Sequence, residues 1–376
     1  MKINSLIVGA GFTGCVLAER IASQLNQRVL LMDKRDHLGG NCYDYYDDHN
    51  ILVHKYGPHI FHTNSRQVWN YLSQFTEWRP YYHRVLAVIE GKQVPVPFNL
   101  NSLHALFPST RATQLEQLLL GKYPLGTRVP ILSLREEATG ELRILAEYVY
   151  KQLFWGYTVK QWGRGPDELD PSVTARVPLA VSRDNRYFLD TYQGLPKHGY
   201  TALFRRMVSH PNIKILLNTD YREIRDCVRP DRLIYTGSID EYFDYMHGEL
   251  PYRSLRFDFE HCRERLYQEV AQVNYPNEHT FTRITEFKHL TGQKVDGTTI
   301  AFEHPEAYIK GTNIPYYPIP HEENAAQYRI YREAARKTKT VCFAGRLADY
   351  RYYNMDQAVA RSLAVFERKV ALRDDS

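Results

Sequence analysis

Hydrophobic positions near the N-terminus predict a strand, a helix and a second strand. The apolar run 6–8 is typical of a buried parallel strand, and apolar residues recur at helical spacing through 15–25. A second apolar run, 28–32, ends at Asp33. Because a strand, a helix and a strand in this order form one unit of a doubly wound sheet, we predict an α/β protein with a Rossmann-like domain.

The pattern changes further along the chain. Residues 102–168 carry apolar side chains at helical spacing, which predicts a helical insert. Segments with alternating apolar and polar residues predict an antiparallel sheet; they are a hairpin over 82–97, which turns at 90–92, and the strands 256–260, 271–275 and 281–286. A buried strand at 341–345 and a final helix from about Asn354 complete the predicted elements.

Glycines and an acid occupy the positions that a dinucleotide site requires. Gly9, Gly11 and Gly14 follow the first strand with G-x-G-x-x-G spacing. The first permits a tight turn, the second lets a pyrophosphate approach the backbone, and the third lets the helix pack closely. Asp33 lies where an acid can accept hydrogen bonds from a ribose. An ordinary glycine-rich turn is the alternative, but the complete strand, turn, helix and acid favour nucleotide binding.

The residues after the acid favour FAD over NAD. Lys34 follows Asp33 directly, and a second glycine pair, Gly39 and Gly40, comes shortly after it. Such an extension, which also contains Arg35, lets backbone amides and an arginine reach the diphosphate and ribityl chain of a flavin, which a nicotinamide enzyme does not need. The final helix, which starts near Asn354, would direct its positive end at the flavin pyrimidine.

These patterns divide the chain into three predicted regions. The FAD-binding domain comprises 1–75, 197–240 and 325–376. The helical domain comprises 98–186 and ends in a mobile loop that carries Arg176. The antiparallel sheet domain, which we expect to bind the substrate, comprises 76–97, 187–196 and 241–324.

Composition and charge argue against several other classes of protein. The net charge of +5 over 376 residues suits a small anionic substrate, but we expect no nucleic-acid partner. Five scattered cysteines without a C-x-x-C pair favour reduced thiols over disulfides or zinc. His59 and His62 lack a nearby acid or cysteine, so we predict no metal. No apolar stretch reaches about eighteen residues, so we expect no membrane insertion, no signal peptide and a cytoplasmic location.

An aromatic segment at the end of the helical insert has two explanations. Residues 154–163 read FWGYTVKQWG, in which polar residues stand between the rings. Packing of one helix face is the usual explanation for such a pattern. The alternative is a wall that stacks on a nucleotide base, and the abundance of tyrosine, 29 residues, suits a site that also hydrogen-bonds to a sugar.

Several further motifs make the sequence resemble a known family. They are GPHIFHT at 57–63, GYTVKQWG at 156–163, RITE at 283–286, IPYYPI at 314–319 and GRLADYRYYNMD at 345–356. With the glycine motif, they resemble prokaryotic UDP-galactopyranose mutases nearly end to end. The resemblance implies a flavoprotein isomerase of cell wall polysaccharide biosynthesis that interconverts UDP-galactopyranose and UDP-galactofuranose without net redox change. It implies reduced FAD, a covalent flavin N5–sugar adduct, an external reductant such as NAD(P)H and a homodimer.

The resemblance also implies roles for individual residues. Three residues would be catalytic: Arg176 and Arg283, which would hold the diphosphate, and His62. The residues that would bind the substrate are Phe154, Tyr157, Thr158, Trp162, Tyr187, Arg253, Asn274, Tyr317, Tyr352 and His83. The residues that would bind the cofactor are Gly9, Gly11, Phe12, Thr13, Gly14, Asp33, Lys34, Gly40, Asn41, His59, Ile60, Gly345, Arg346, Asn354 and Met355.

Two positions depart from the pattern of the family. His83 stands where asparagine is common, and Asn354 stands where aspartate is common. Both would lie near the sugar or the flavin, so the identity of the sugar stays open. A mutase for UDP-N-acetylgalactosamine or for a dTDP-sugar is one alternative. An oxidoreductase similar to FAD amine oxidases is another, although paired arginines for a diphosphate and the aromatic segment from Tyr157 to Trp162 argue against it. A flavin-binding sensor without catalytic activity is a third alternative.

Overall fold

The computed structural model describes residues 3–170, 173 and 177–371. Its first sheet is five-stranded and entirely parallel, and the predicted strand pair lies within it. In spatial order the strands are Ile213–Leu216, Val29–Met32, Ser5–Val8, Arg232–Tyr235 and Val341–Phe343. The Rossmann-like arrangement predicted from the sequence is therefore confirmed, and the carboxyl ends of these strands form the edge where ligands bind in such sheets.

The parallel sheet shares one apolar core with four helices. They are Phe12–Gln24, Arg66–Leu72, Tyr200–Met207 and Met355–Val365, the last of which continues in a wider turn as Phe366–Val370. Buried Asp44 accepts hydrogen bonds from the backbone N–H groups of Tyr200 (2.5 Å) and Thr201 (2.7 Å), and so stabilises the start of the third helix. Asn354 is the N-cap of the last helix, close to its predicted start.

A second sheet has seven strands, and their spatial order differs from their order in the chain. Its spatial order is Tyr317–Pro318, Tyr252–Cys262, Thr298–Ala307, Arg283–Glu286, Gln272–Asn274, Val85–Ile89 and Lys92–Val96. Neighbours are antiparallel, as predicted, except that Gln272–Asn274 runs parallel to Val85–Ile89. The hairpin turns at Glu90 and Gly91, which both have positive φ angles (51° and 74°), a combination that matches the twist of two-residue hairpins.

The helical insert follows the hairpin and packs on it. Its helices are Leu100–Leu106, Ser109–Lys122, Ile131–Glu137, Gly140–Val149, Tyr150–Trp155, Gly156–Trp162 and the short Pro166–Glu168. The strands Arg128–Val129 and Leu179–Ala180 pair within it. Hairpin side chains such as Val85 and Val94 belong to the core of the insert, although the hairpin backbone is paired in the seven-stranded sheet. The domain division proposed above stays a prediction.

Smaller elements connect these units. A three-stranded antiparallel sheet contains Phe61–Thr63, Tyr192–Pro196 and Trp78–Pro80, and a hairpin contains Asp44–Tyr46 and Leu52–His54. The remaining helices are Gly40–Cys42, Tyr221–Ile224, Ile239–Tyr242, Phe287–Thr291 and Glu322–Lys337. In the described part of the chain, no helix combines the length and the apolar character that a membrane crossing needs.

Candidate active site

Backbone contacts between glycines form a cradle at the edge of the parallel sheet. A Cβ atom at Gly14 would lie 1.8 Å from the carbonyl oxygen of Gly9, so the helix can approach the turn only because residue 14 is glycine. Gly40 has a φ of 56°, and a Cβ atom there would lie 3.0 Å from the Cα of Gly11. The two glycine segments therefore touch. We call Gly9, Gly11, Gly14, Gly40 and Arg35 the nucleotide cradle.

Asp33 holds this cradle together. The N–H of Ala10 donates to one of its carboxylate oxygens (2.7 Å) and the N–H of Arg35 donates to the other (3.0 Å). Each carboxylate oxygen has a second lone pair, so the group can still accept hydrogen bonds from a ribose.

Arg35, rather than the predicted Lys34, faces the cradle. Its Nη2 donates to Asn41 Oδ1 (2.9 Å), and its guanidinium lies over the ring of Tyr56 at 4.7 Å. Its buried Nη1 has no hydrogen-bond partner among the described residues. The Lys34 side chain is instead 57% exposed, and its ammonium lies 3.5 Å from the carboxylate of Glu241. A buried guanidinium nitrogen without a partner, on a side chain that is bound to Asn41 next to Gly40, fits the diphosphate of a dinucleotide such as FAD.

Other predicted cofactor residues line the same edge or support it. Gly345, at a φ of 109°, lies against the side chain of Thr13, so the last parallel strand meets the glycine turn. The ring of Phe12 packs in the core at 4.7 Å from Phe204, which leaves its backbone for any cofactor contact. Thr63 Oγ1 donates to Asp356 (3.0 Å) and so joins a neighbouring strand to the first turn of the final helix, where Asn354 and Met355 lie.

His59 and Ile60 lie on the loop between two short strands. The N–H of His59 donates to His54 Nδ1 (3.0 Å), and His59 Nδ1 lies 2.8 Å from the carbonyl oxygen of Gly57. Burial, and then the neighbouring His54, lowers the pKa of His59 to about 3, so this histidine is neutral. No set of three or more His, Cys, Asp or Glu side chains in the described residues could hold a metal ion.

A buried ion pair forms the centre of a second group of side chains. Arg283 Nη2 lies 3.0 Å from Glu303 Oε1, and the two residues face each other on adjacent strands. Burial alone would lower the pKa of Arg283, but the Glu303 carboxylate holds it above its ordinary value. The Nε of Arg283 is buried without a partner among the described residues, so the guanidinium keeps a donor for a further acceptor.

Tyrosines surround this ion pair. The Arg283 guanidinium lies 6.0 Å from the ring centroid of Tyr157, and Tyr317 stacks on Tyr352 at 5.4 Å. Burial raises the pKa of Tyr157 and Tyr317, so both hydroxyls stay protonated and can donate. We call Tyr157, Arg283, Glu303, Tyr317 and Tyr352 the arginine–tyrosine cluster.

Two more predicted side chains adjoin the cluster. Arg346 lies 5.7 Å from the ring of Tyr317 and 5.2 Å from that of Tyr352, and its Nη2 donates to the carbonyl oxygen of Tyr353 (2.7 Å). The ring of Trp162 lies 6.2 Å from Tyr317. Arg346 lies in the loop after the last parallel strand and directly follows Gly345, which contacts Thr13 in the glycine turn. It therefore lies between the nucleotide cradle and the cluster.

Arg253 supports this wall through backbone contacts. Its Nε donates to the carbonyl oxygen of Gln161 (3.0 Å) and its Nη2 to that of Lys160 (3.2 Å), at the end of the helix that carries Tyr157. Phe154 is buried in the core of the insert, and Thr158 is buried one residue after Tyr157. The structure thus brings Tyr157 and Trp162 to the cluster, whereas Phe154 packs away in the insert.

The remaining predicted residues form a further wall near Arg283. His83 is buried, and burial together with the nearby Arg283 lowers its pKa to about 3. Its ring lies 5.7 Å from that of Tyr187, whose backbone N–H donates to the His83 carbonyl oxygen (2.8 Å). Asn274 faces Arg283 in register and accepts a hydrogen bond from Gln272 Nε2 (3.0 Å). His62 lies 2.9 Å from Asp190 and stacks on Phe188.

Two side chains of the site, Glu303 and Asp190, were not predicted from the sequence, and Arg176 lies outside the described residues. Glu303 belongs to the strand Thr298–Ala307, which the sequence pattern did not predict. A glutamate within this apolar run was the available signal, because a charge inside a buried strand needs a partner.

Known proteins are similar to this chain over most of its length. A family model described as UDP-galactopyranose mutase matches residues 152–352, and one described as NAD(P)-binding Rossmann-like domain matches 7–75. A Klebsiella pneumoniae protein named probable UDP-galactopyranose mutase is 36% identical over 364 residues, covering 96% of this chain and 93% of that protein. The dTDP-fucopyranose mutase of Escherichia coli is 33% identical over 366 residues, covering 95% and 96%.

A solved structure is similar in fold. The crystal structure of a reduced UDP-galactopyranose mutase matches with a TM-score of 0.73 at 15% identity, covering 99% of this chain and 94% of that one. At this identity the match supports the fold alone, whereas the first family model covers more than half of the chain and both sequence relatives cover nearly all of it. This chain therefore belongs to the UDP-galactopyranose mutase family and is an enzyme of the isomerase class.

Proposed function

We propose that this enzyme uses FAD to interconvert UDP-galactopyranose and UDP-galactofuranose without net oxidation or reduction. The observation that carries the proposal is the position of Arg283. Its guanidinium is largely buried, paired with Glu303 and surrounded by tyrosines. Arg346 lies against two of these tyrosines and directly follows Gly345, which lies against Thr13 in the glycine turn. A pyrophosphate-linked sugar bound at the cluster would lie beside a dinucleotide bound at the cradle.

The nucleotide cradle would hold the FAD. Arg35 Nη1 and the amides around Gly11 would bind its diphosphate, Asp33 its ribose, and the start of the final helix would face the flavin ring. Reduced flavin would supply a nucleophile, N5, for the anomeric carbon of the sugar, through a covalent flavin–sugar linkage. This chemistry explains why an isomerisation would need a redox cofactor.

The arginine–tyrosine cluster would bind the nucleotide sugar. Arg283, together with Arg176, would hold the diphosphate and stabilise its charge as it leaves the sugar. Tyr157 would stack on uracil, with Trp162 next to it, and Tyr317 and Tyr352 would donate to the diphosphate. The sugar would lie toward the wall of His62, His83, Tyr187 and Asn274, which are the remaining predicted residues described near Arg283. Arg253 would position the helix of Tyr157.

Sugar specificity has a second candidate. The Escherichia coli relative is named for dTDP-fucopyranose, and His83 and Asn354 depart from the pattern of the family at positions that would lie near the sugar or the flavin. The second candidate substrate is therefore a dTDP-fucose. A site that forms a hydrogen bond with a hydroxyl of one sugar strongly rejects a sugar that lacks this hydroxyl.

The test is product formation by reduced, FAD-loaded enzyme. UDP-galactofuranose and dTDP-fucofuranose are supplied at equal concentration, and the nucleotide sugars are separated by chromatography. We expect UDP-galactopyranose as the dominant product. Dominant dTDP-fucopyranose would move the assignment to the second candidate, and a change in sugar oxidation level would refute the mutase in favour of an oxidoreductase. Sodium cyanoborohydride should trap the sugar on the flavin; a sugar trapped on a protein side chain would contradict the covalent linkage.

A further inference from the structure

A histidine and a carboxylate form a fixed pair near His83. His62 Nδ1 lies 2.9 Å from Asp190 Oδ2. Because an ionised carboxylate only accepts hydrogen bonds, the proton between them resides on Nδ1. The imidazole ring lies flat on the ring of Phe188, with centroids 3.6 Å apart and 13° between the planes. The hydrogen bond and the stacking together fix the position and the rotation of the imidazole.

Asp190 is itself held in place from the other side. Asn64 Nδ2 donates to Asp190 Oδ1 (2.9 Å), and Asn64 Oδ1 accepts from the backbone N–H of Thr191 (2.9 Å). Both carboxylate oxygens are thus engaged, one by His62 and one by Asn64. The carboxylate cannot rotate away from the imidazole without the loss of a second hydrogen bond, so its acceptor is presented to Nδ1 in one orientation.

The other ring nitrogen of His62 is available. Among the described residues, no group forms a hydrogen bond with Nε2. The atom is not buried, and the side chain is 16% exposed, so Nε2 can be reached from outside the protein. His83 lies near His62 and is neutral, since burial and the nearby Arg283 lower its pKa to about 3. Gln193, on the adjacent strand, faces His62 in register, and its side chain donates to the carbonyl oxygens of Phe188 and Asp190.

We propose that Asp190 is a positioning residue that keeps the His62 proton on Nδ1, so that Nε2 accepts a hydrogen bond from a hydroxyl of the bound sugar. The inference rests on the proposed mutase function. A diphosphate carries no donor, uracil would lie at Tyr157, and its ribose would lie between uracil and the diphosphate at Arg283. A hydroxyl of the sugar beyond the diphosphate is therefore the part of the substrate that matches an acceptor at His62. The carboxylate would thereby influence sugar recognition without contact with the sugar.

The test combines a spectroscopic signature with kinetics. Long-range ¹H–¹⁵N NMR of histidine-labelled, FAD-loaded oxidised enzyme reports which ring nitrogen carries the proton, and His62→Gln assigns the signal. We expect protonated Nδ1 and bare Nε2 in the wild type. In Asp190→Asn the new amide can donate to Nδ1 and move the proton to Nε2, so kcat/KM of the reduced enzyme for UDP-galactofuranose should fall on the order of 10–100-fold, as for other residues that orient a histidine. Asp190→Glu should recover part of the loss.

Asp184→Asn is the matched control, because this carboxylate lies in the same segment but binds Arg186 (2.6 Å). It should leave the His62 signals and kcat/KM unchanged, and the flavin content of each variant checks its folding. Wild-type His62 with a proton on Nε2 would overturn the inference, as would an Asp190→Asn enzyme with an unaltered proton position and normal kcat/KM. A wild type that does not convert UDP-galactofuranose, but whose His62 proton moves in Asp190→Asn, would refute the proposed function alone.

Discussion

The nucleotide cradle and the arginine–tyrosine cluster are built in opposite ways. The cradle uses the backbone of residues close together in the chain, and its geometry depends on side chains that are absent, as at Gly14 and Gly40. The cluster uses long side chains from a helix, two neighbouring strands and two loop or strand-end positions that lie far apart in the sequence. A site made of backbone leaves a contiguous motif, whereas a site made of side chains depends on tertiary contacts. The two regions should therefore fail differently when they are mutated.

The largest effect should come from the centre of the cluster. Arg283→Ala should reduce turnover by roughly a hundredfold or more, as for other electrostatic stabilisers of a leaving group, while the flavin content stays normal. Arg283→Lys should recover only part of the loss, because a point charge cannot replace a planar guanidinium. Steady-state kinetics and flavin absorbance measure both effects. Near wild-type turnover of a fully loaded Arg283→Ala enzyme would refute the role of the cluster.

A second variant separates binding from stability. Arg283→Ala leaves Glu303 buried without its partner, which is itself destabilising. In the double variant Arg283→Ala/Glu303→Gln the buried charge is removed, so the free energy of unfolding should recover while turnover stays low. Recovery of turnover as well would mean that Arg283 acts through folding alone.

The cradle should fail through the cofactor. A methyl group at Gly14 would collide with the Gly9 carbonyl oxygen at 1.8 Å, so Gly14→Ala should lower the free energy of unfolding by about 1–3 kcal/mol and deplete the bound flavin. Gly121→Ala is the matched control, because nothing lies within 4 Å of its Cβ position in a helix, and it should be slightly stabilising. Normal flavin content in Gly14→Ala would contradict the close approach.

Base recognition tests the two explanations of the aromatic segment. Tyr157→Ala should weaken UDP binding by about 1–3 kcal/mol, the range for stacking of a base on an aromatic ring. Tyr157→Phe keeps the ring and should retain most of the affinity. Calorimetric titration with UDP measures the Kd of each variant. An unchanged Kd in Tyr157→Ala would mean that Tyr157 only packs within the protein.

The smallest effect on catalysis is expected from a group that influences acid stability. Burial lowers the pKa of His54 to about 4 from 6.5, so between these pH values the unfolded chain binds a proton that the native His54 does not. The free energy of unfolding should therefore fall as the pH decreases through this window, by up to about 3 kcal/mol from this group. His54→Asn keeps an acceptor for the N–H of His59 and should flatten the dependence, whereas the exposed His198→Asn should not. Denaturant titrations at several pH values test this, and an equally steep dependence in His54→Asn would rule out the assigned group.

The sequence predicted the cradle better than the cluster for a physical reason. The glycine turn, the acid Asp33 and the order of strand, helix and strand are local, so the Rossmann-like fold could be predicted from them. Even there, the choice between Lys34 and Arg35 depends on the direction of adjacent side chains after a strand, which a motif does not contain.

The cluster needed the tertiary structure. Glu303 belongs to the cluster because its strand, Thr298–Ala307, pairs with Arg283–Glu286, and this pairing joins distant parts of the chain. The parallel pairing of Gln272–Asn274 with the hairpin could not be predicted either, because alternation of apolar and polar residues does not reveal strand direction. Tyr157, Arg283 and Tyr317 were named from family resemblance, not from spacing. Their roles, like that of Arg176, stay predictions that the variants above can test.

Turnover of one preparation in two redox states tests the central claim, that cradle and cluster serve one redox-neutral reaction. Conversion of UDP-galactofuranose is followed by NMR in the FAD-loaded enzyme as purified and after reduction with dithionite. We expect turnover only after reduction, with the total of the two nucleotide sugars constant and no net flavin oxidation. Equal turnover in both states, or one flavin oxidised for each sugar converted, would contradict the account.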